Sequence, residues 1–214
     1  MASSRARPFI LAACAVLLFV PLFAFRHIGA FDFWWWMSFS IVALVLSSFV
    51  LDKSNGQILL GDIRSGLGRK MVWGILSALL LYGIFYAGDF LSRQFLPFAS
   101  HGISRVYAFK EGASPLRIIP LIIFFIGPGE EVFWRGALQR HFQNYLGDVS
   151  GWLISAALYA LVHIGTANPM LVLAAGVCGL FWGWMYLRYR SIVMVAVSHT
   201  LWDILVFIAF PFYY

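Results

Sequence analysis

The chain has 214 residues, of which 62% are hydrophobic, 18% aromatic and only 11% charged. Soluble domains are about a quarter charged and about half apolar, so this composition excludes an ordinary soluble domain and indicates an integral membrane protein. The net charge of +6 does not indicate nucleic-acid binding, because the Lys and Arg residues lie in short clusters between apolar runs. Cys14 and Cys178 lie within such runs, which predicts packing residues rather than a disulfide framework or a metal motif.

Apolar runs recur along the whole chain, and each approaches the roughly 17 to 25 helical residues that cross a bilayer. The sequence therefore predicts an all-α fold, a polytopic transmembrane helical bundle of seven to eight helices. The seven clearest runs are Pro8–Phe25, Phe31–Leu51, Met71–Ala87, Leu116–Trp134, Gly151–Ile164, Met170–Leu187 and Ile192–Phe210. Arg5 and Arg7 precede the first run as in a signal peptide. No small-residue cleavage site follows the run, so we expect a retained membrane anchor.

The segments between these runs predict an orientation and two loops. A cytoplasmic amino terminus places ten of the fifteen Lys and Arg residues inside, which favours that orientation. The ten are Arg5, Arg7, Lys53, Arg64, Arg69, Lys70, Arg135, Arg140, Arg188 and Arg190. The segment Asp52–Lys70, rich in glycine and charge, predicts a solvated loop without chemistry. Gly88–Pro115 predicts either an interfacial amphipathic helix or an eighth span. Neither a repeat nor a linker divides the chain, so we expect one membrane domain, 1–214.

Two adjacent acids, Glu130 and Glu131, lie within an otherwise apolar stretch. A charged side chain at bilayer depth costs roughly 2.5 to 3.5 kcal/mol, so such residues usually belong to a pathway or a site. Arg135 lies one helical turn after Glu131, which predicts an ion pair between them and leaves Glu130 without it. The preceding Gly127-Pro128-Gly129 predicts a break, with the helix restarting at Pro128 and the acids in its first turn.

Two later apolar runs also contain ionisable residues. His163 follows Tyr159 by one turn, and His199 and Asp203 are four apart, so they share one face of the last span. Such residues can simply hydrogen-bond helices together, but three helices that each bring polar groups favour a common cavity. We expect the remaining histidines, which lie in loops, to be solvated surface groups; they are His27, His101 and His141.

The three patterns resemble the motifs EExxxR, FxxxH and HxxxN/D of the CPBP intramembrane proteases. These are the type II CAAX prenyl endopeptidases and their bacterial Abi relatives, linked to bacteriocin processing and immunity. The resemblance covers about Phe125 to Phe210, and we interpret residues 116–210 as a CPBP-like catalytic core. Tyr159 stands where the family more often has Phe. Asp203 in place of Asn weakens the inference that the substrate is prenylated.

The resemblance also implies roles for these residues. Glu130 and His163 would bind and activate a water, with Glu130 taking its proton. His199 and Asp203 would form the pair that stabilises the oxyanion, Asp203 orienting His199. Glu131 with Arg135 would shape the site and hold His163 or the substrate backbone, and Tyr159 would support the cavity.

Whether a metal takes part stays open at this point. We favour catalysis without a cofactor, because the chain has no HExxH element. If zinc is bound, its ligands would be Glu130, His163 and His199. The GxSG and GxGD motifs of other intramembrane protease classes are also absent from the sequence.

The favoured function is an intramembrane endopeptidase that hydrolyses a peptide bond of a membrane-associated protein or peptide. The first alternative is a component of a proton-coupled transporter, in which the same residues form a proton relay. The second is a catalytically silent membrane protein of the bacteriocin-immunity type. We expect a membrane-anchored substrate and the lipid bilayer as partners, no nucleic acid, and a multi-pass location in a cell membrane, namely a bacterial inner membrane.

Overall fold

The computed structural model describes residues 5–212, and this part of the chain folds into helices without a β-strand. The helices are α1 (Arg7–Phe25), α2 (Phe33–Leu51), α3 (Ser54–Arg64), α4 (Leu67–Phe95), α5 (Ala99–Tyr107), α6 (115–146), α7 (Asp148–Leu161), α8 (Pro169–Tyr189) and α9 (Ile192–Ile204). Short 3-10 segments, Ala108–Lys110 and Val162–Thr166, follow α5 and α7, and a π turn, Leu205–Ala209, extends α9.

Within residues 5–212, six helical stretches are long and apolar enough to cross a membrane. They are Arg7–Phe25, Phe33–Leu51, Leu67–Phe95, Asp148–Thr166, Pro169–Tyr189 and Ile192–Ala209. The remaining run of the seven, Leu116–Trp134, lies inside α6. The prediction of an all-α, multi-pass membrane bundle is confirmed.

The prediction of a helix break before the two acids was wrong. The backbone of α6 stays helical through Gly127 and Pro128, with the α-helical piece Gly127–Glu131 between the π-helical segments Ile122–Ile126 and Val132–Gln139. The wider π turn before Pro128 accommodates a residue that has no N–H and a bulky ring. The acids therefore lie inside a continuous helix rather than at its start.

The glycines before the acids instead allow close helix packing. A Cβ atom on Gly127 would lie 2.2 Å from Oγ1 of Thr200, and one on Gly129 would lie 2.3 Å from Cγ2 of Ile41. Any larger residue would push α6 away from α9 at the first position and from α2 at the second. Since Thr200 follows His199, this contact brings the acid pair of α6 to the polar face of α9.

Both long connecting segments differ from a simple loop. Asp52–Lys70, expected to be a solvated loop, contains α3, because the Asp52 carboxylate accepts hydrogen bonds from the Ser54 backbone N–H at 3.0 Å and from its hydroxyl at 2.8 Å. In Gly88–Pro115, α4 continues to Phe95 and is followed by α5. At 9 residues α5 is too short to span a bilayer, so the amphipathic helix is found here and an eighth span is not.

Candidate active site

Three separate elements of the bundle supply the predicted site residues. The middle of α6 carries Glu130, Glu131 and Arg135, the end of α7 and its 3-10 extension carry Tyr159 and His163, and α9 carries His199 and Asp203. All of them except the half-buried His163 are buried. The structure therefore brings every predicted residue to one region.

A cavity of about 370 Å³ is lined by five of these residues and not by the other two. Glu130, Tyr159, His163, His199 and Asp203 line it, and aromatic and aliphatic side chains form nearly all of the remaining wall. Glu131 and Arg135 are not part of the lining and lie behind it, with 0% and 2% of their surface exposed. The two adjacent acids thus have different surroundings.

Glu131 joins α6 to α9. Its Oε1 accepts hydrogen bonds from Nη1 of Arg135 at 2.7 Å and from Nδ1 of His199 at 2.6 Å, while its buried Oε2 has no hydrogen-bond partner within the described residues. The predicted pair with Arg135 is confirmed. The expectation that Glu131 would hold His163 was wrong, since the close packing at Gly127 brings the His199 ring to this acid instead.

His199 is held on both edges and on one face. Glu131 lies at its Nδ1, Asp203 Oδ2 lies 3.5 Å from its Nε2, and its ring stacks on Trp182 with centroids 3.8 Å apart. A ring with hydrogens on both nitrogens can donate to both carboxylates. Together with Arg135, such a ring balances the charges of Glu131 and Asp203. Glu130 is then the acid left without a balancing cation.

His163 is oriented by its own helix. Its Nδ1 lies 2.7 Å from the carbonyl oxygen of Tyr159, and its ring packs against Phe23 with centroids 4.3 Å apart. A carbonyl only accepts hydrogen bonds, so Nδ1 carries the hydrogen and Nε2 of the neutral ring keeps a lone pair. This is the protonation pattern that a water-binding histidine requires.

Glu130 and His163 share the cavity without touching. The Tyr159 side chain approaches Glu130 closely enough for a hydrogen bond. Within residues 5–212, no hydrogen bond joins Glu130 to His163, although both line the same space. A molecule bound in this cavity can therefore be reached by both side chains.

Comparison with known families identifies this half of the chain. Residues 112–205 match the family model described as type II CAAX prenyl endopeptidase Rce1-like. The matched segment contains all seven predicted site residues. The match covers just under half of the chain. Comparisons with curated proteins and with solved structures gave no match. The predicted resemblance of the motifs is confirmed for these residues, which are similar to a family of membrane endopeptidases.

The sequence leaves a zinc site open, with Glu130, His163 and His199 as its ligands. In the part of the chain that the structure describes, no three His, Cys, Asp or Glu side chains lie where they could share a metal ion. Glu130, His163 and His199 are therefore not grouped closely enough in this structure to share a zinc ion.

Two residues close to the site were not predicted from the sequence to belong to it. Trp182 of α8 is fully buried, stacks on His199 and donates from its indole N–H to Oγ of Ser198 at 3.2 Å. Cys178, expected to be a packing residue, is buried but also lines the cavity. Both lie in a uniformly apolar run, where no polar neighbour in sequence distinguishes a residue that faces the site from one that faces lipid.

A second polar group lies apart from the predicted site residues. We call it the boundary cluster, and it consists of Asp52, Asn55, Arg7, Arg140 and His141. Asp52 Oδ2 lies 2.8 Å from Nη2 of Arg140, 3.5 Å from Nη1 of Arg7 and 3.4 Å from Nε2 of His141. The prediction that His141 is solvated was wrong, because only 7% of its surface is exposed. The prediction holds for His27 and His101, which are exposed.

Charge pairing decides the titration of this cluster. Burial raises the pKa of Asp52, but hydrogen bonds from Arg140 and Ser54 outweigh it and hold that pKa well below its usual range. Burial, together with the nearby Arg140 charge, lowers the pKa of His141 to about 4. His141 is therefore neutral at neutral pH, and the Asp52 carboxylate is the charge-paired centre of the cluster.

Proposed function

We propose that this protein is an intramembrane endopeptidase that hydrolyses a peptide bond of a membrane-associated protein or peptide. One observation carries the proposal. A carboxylate without a balancing cation, Glu130, and a histidine with a free Nε2, His163, come from different helices and meet one cavity inside an apolar bundle. The family of residues 112–205 supports the same reaction class.

The chemistry follows from this geometry. A water held between Glu130 and Nε2 of His163 loses a proton to the carboxylate as its oxygen attacks the substrate carbonyl carbon. His199 also lines the cavity and donates toward the oxygen that becomes negative. When the tetrahedral intermediate collapses, Glu130 returns the proton to the leaving amine nitrogen, and the C–N bond breaks.

Asp203 has a supporting role in this scheme. A carboxylate cannot donate to an oxyanion, but at 3.5 Å from Nε2 of His199 it stabilises the charged ring and keeps it oriented. The contact is long enough for the same N–H to turn toward a substrate oxygen. Glu131 holds the other nitrogen at 2.6 Å, so the ring stays oriented while its Nε2 side faces the cavity.

The substrate reaches the site from the bilayer. Four residues that line the cavity lie on the outer surface: Ile84 and Gly88 of α4, and Leu173 and Val177 of α8. All four are apolar or lack a side chain, so the opening between α4 and α8 faces lipid chains rather than water. An apolar anchored segment can enter sideways without crossing the polar membrane surface.

We propose residues 116–210 as the catalytic core of a single membrane domain in a bacterial inner membrane, working without a bound metal. The metal assignment has its own test. Metal content of the purified protein is measured together with activity in a strong chelator. Stoichiometric zinc, with activity lost on chelation and regained on adding zinc, would overturn the metal-free assignment.

The function is tested in liposomes that contain the purified protein and two quenched fluorescent probes, a farnesylated CAAX-type peptide and an unprenylated peptide on a transmembrane helix. We expect cleavage of at least one probe, and its loss in Glu130→Ala and in His163→Ala. Glu111→Gln is the control, because this exposed acid lies outside the cavity and should cleave at the wild-type rate.

Two outcomes would contradict the assignment. A monodisperse Glu130→Ala variant that cleaves at the wild-type rate removes the proposed general base. Failure of the wild type to cleave either probe, combined with proton flux into the same liposomes that Glu130→Ala abolishes, favours the transporter alternative.

A further inference from the structure

Asp62 in α3 lies outside the matched segment 112–205, in a stretch that the sequence predicts to be a loop without chemistry. Its side chain nevertheless has only 9% of its surface exposed. It reaches across to the start of α9, the helix that carries His199 and Asp203.

The Asp62 carboxylate caps α9 from outside. Its Oδ2 accepts hydrogen bonds from the backbone N–H of Val193 at 2.8 Å and from the hydroxyl of Ser191 at 3.2 Å. The Ser191 hydroxyl oxygen in turn accepts from the Met194 backbone N–H at 3.1 Å. The first N–H groups of a helix have no partner within the helix, and a negative charge there is favourable. Asp62 supplies both an acceptor and a charge.

Lys70 fixes the same carboxylate from its other side. Its Nζ lies 2.5 Å from Oδ1 of Asp62 and 2.9 Å from Oγ of Ser65, and its side chain is 11% exposed. Since Lys70 belongs to the first turn of α4, the Asp62 side chain ties α3, α4 and α9 together at one point.

A second contact fixes α9 sideways against α4. A Cβ atom on Gly74 of α4 would lie 2.8 Å from Cβ of Val197 and 2.9 Å from the carbonyl oxygen of Met194. There is thus no space between the two helices at this level. Packing at Gly74 sets the distance between α4 and α9, and the bonds to Asp62 set how far α9 can slide along its axis.

The axial position of α9 matters at His199. His199 follows Val193 by six positions, which is about 9 Å of helix rise. The bond from His199 to Glu131 is only 2.6 Å, so a small slide of α9 would lengthen it. Errors of about 1 Å in the position of a catalytic group can lower rates by about 100-fold.

We propose that Asp62 is a positioning residue for the reaction, which holds α9 at the axial position where His199 meets Glu131. The proposal rests on the proposed endopeptidase function. Asp62 does not line the cavity and does not contact the substrate. It acts only through α9.

The test compares Asp62→Ala with the double variant Asp62→Asn/Lys70→Met on the probe peptide that the wild type cleaves. Asp62→Ala removes the cap, whereas the double variant keeps a carbonyl acceptor and removes the cation that it can no longer pair. We expect Asp62→Ala to lower kcat about tenfold with KM unchanged. Because Asn caps helices about as well as Asp, the double variant should recover kcat to within about threefold of wild type.

Asp32→Asn is the matched control. Asp32 also caps a helix, accepting from the Trp35 backbone N–H at 3.2 Å, and also pairs with an arginine, Arg117, but its helix α2 carries no catalytic group. Its kcat should remain at the wild-type value. All rates are divided by the folded fraction, so that a loss of stability alone does not count as a loss of kcat.

Hydrogen exchange gives a readout that does not depend on cleavage. Exchange in residues 192–204 should rise in Asp62→Ala and return in the double variant. Wild-type kcat in folded Asp62→Ala overturns the proposal, and so does a stable double variant that is as slow as Asp62→Ala. If Asp62→Ala does not fold, Asp62→Ser, whose side chain is one atom shorter than that of Asp, replaces it, and wild-type kcat there overturns the proposal. If the wild type cleaves neither probe, the endopeptidase function is contradicted instead. Hydrogen exchange in residues 192–204 then still decides whether Asp62 positions α9.

Discussion

The bundle contains two buried polar clusters that look alike in composition and differ in what they leave free. The boundary cluster surrounds Asp52 with arginine and histidine nitrogens, and none of its members lines the cavity. The second, which we call the central cluster, consists of Glu130, Glu131, Arg135, His199 and Asp203. In it, Glu131 is paired with Arg135 and His199, but Glu130 faces the cavity without a balancing cation.

The difference shows that buried charge alone does not identify a site. An ion pair with all its partners in place mainly orders helices, and breaking it by removing one partner costs about 3 to 5 kcal/mol. A site additionally needs a polar group that the protein leaves unsatisfied toward an open space. Glu130 and Nε2 of His163 meet that condition, whereas Asp52 does not.

The largest expected effect distinguishes a charge-paired acid that supports catalysis from one that supports only the fold. Glu131→Gln removes the charge that holds Arg135 and His199, and Asp52→Asn does the same for Arg140. Both should lower the free energy of unfolding by a few kcal/mol. After correction for the folded fraction, Glu131→Gln should lose about 100-fold in kcat, because His199 is no longer oriented, while Asp52→Asn keeps it. Equal kcat values would remove the functional distinction between the clusters.

A smaller effect tests the aromatic support of the central cluster. Trp182→Leu removes the ring on which His199 stacks and toward which Arg135 points, with its guanidinium carbon 5.5 Å from the ring centroid. Cation–π contacts of this kind contribute about 0.5 to 2 kcal/mol, so kcat should fall about tenfold. Trp184→Leu on the exposed side of the same helix is the control. Initial rates on one probe decide it, and a Trp182→Leu rate equal to that of the control contradicts the role.

The sequence predicts the helices and the central cluster better than the contacts between them. Apolar runs of membrane length have no plausible alternative to a helix, and the spacing of Glu131 and Arg135 is a local property of one helix. Which histidine reaches Glu131 depends on how closely α6 and α9 pack at Gly127, and that distance is set by the tertiary structure. The role of Trp182 also depends on tertiary structure, because it follows from which face of α8 points toward the site.

Local composition misled the interpretation at the two glycine-rich positions. Gly127-Pro128-Gly129 is typical of a helix break, but tight packing at Thr200 and Ile41 explains the glycines, and a π turn accommodates the proline. Likewise the charges of Asp52–Lys70 are typical of a solvated loop. Asp52 and Asp62 instead pair with Arg140 and Lys70, which a single sequence does not reveal.

The entrance to the central cluster is tested on α4. Gly88 lines the cavity opening and Gly83 does not, and a Cβ atom would meet nothing within 4 Å at either position. Gly88→Trp should raise KM several-fold for a membrane-anchored probe, because its ring narrows the opening. Gly83→Trp is the control. Equal KM values for the anchored probe in the two variants contradict entry between α4 and α8.

The last expected effect is a pH dependence of stability that arises in the boundary cluster. The pKa of His141 is about 4 in the folded protein and about 6.5 when exposed, so the unfolded chain binds the proton more readily between these values. The stability associated with the neutral ring is complete above about pH 6.5 and is lost as the pH falls toward 4. The depressed pKa of Asp52 acts in a lower window, because its stabilisation is lost only below the usual carboxyl range, near 3.8. Melting temperatures of the wild type should therefore decrease from pH 6.5 to pH 4, and those of His141→Gln should decrease less. Parallel curves would mean that His141 contributes no such linkage.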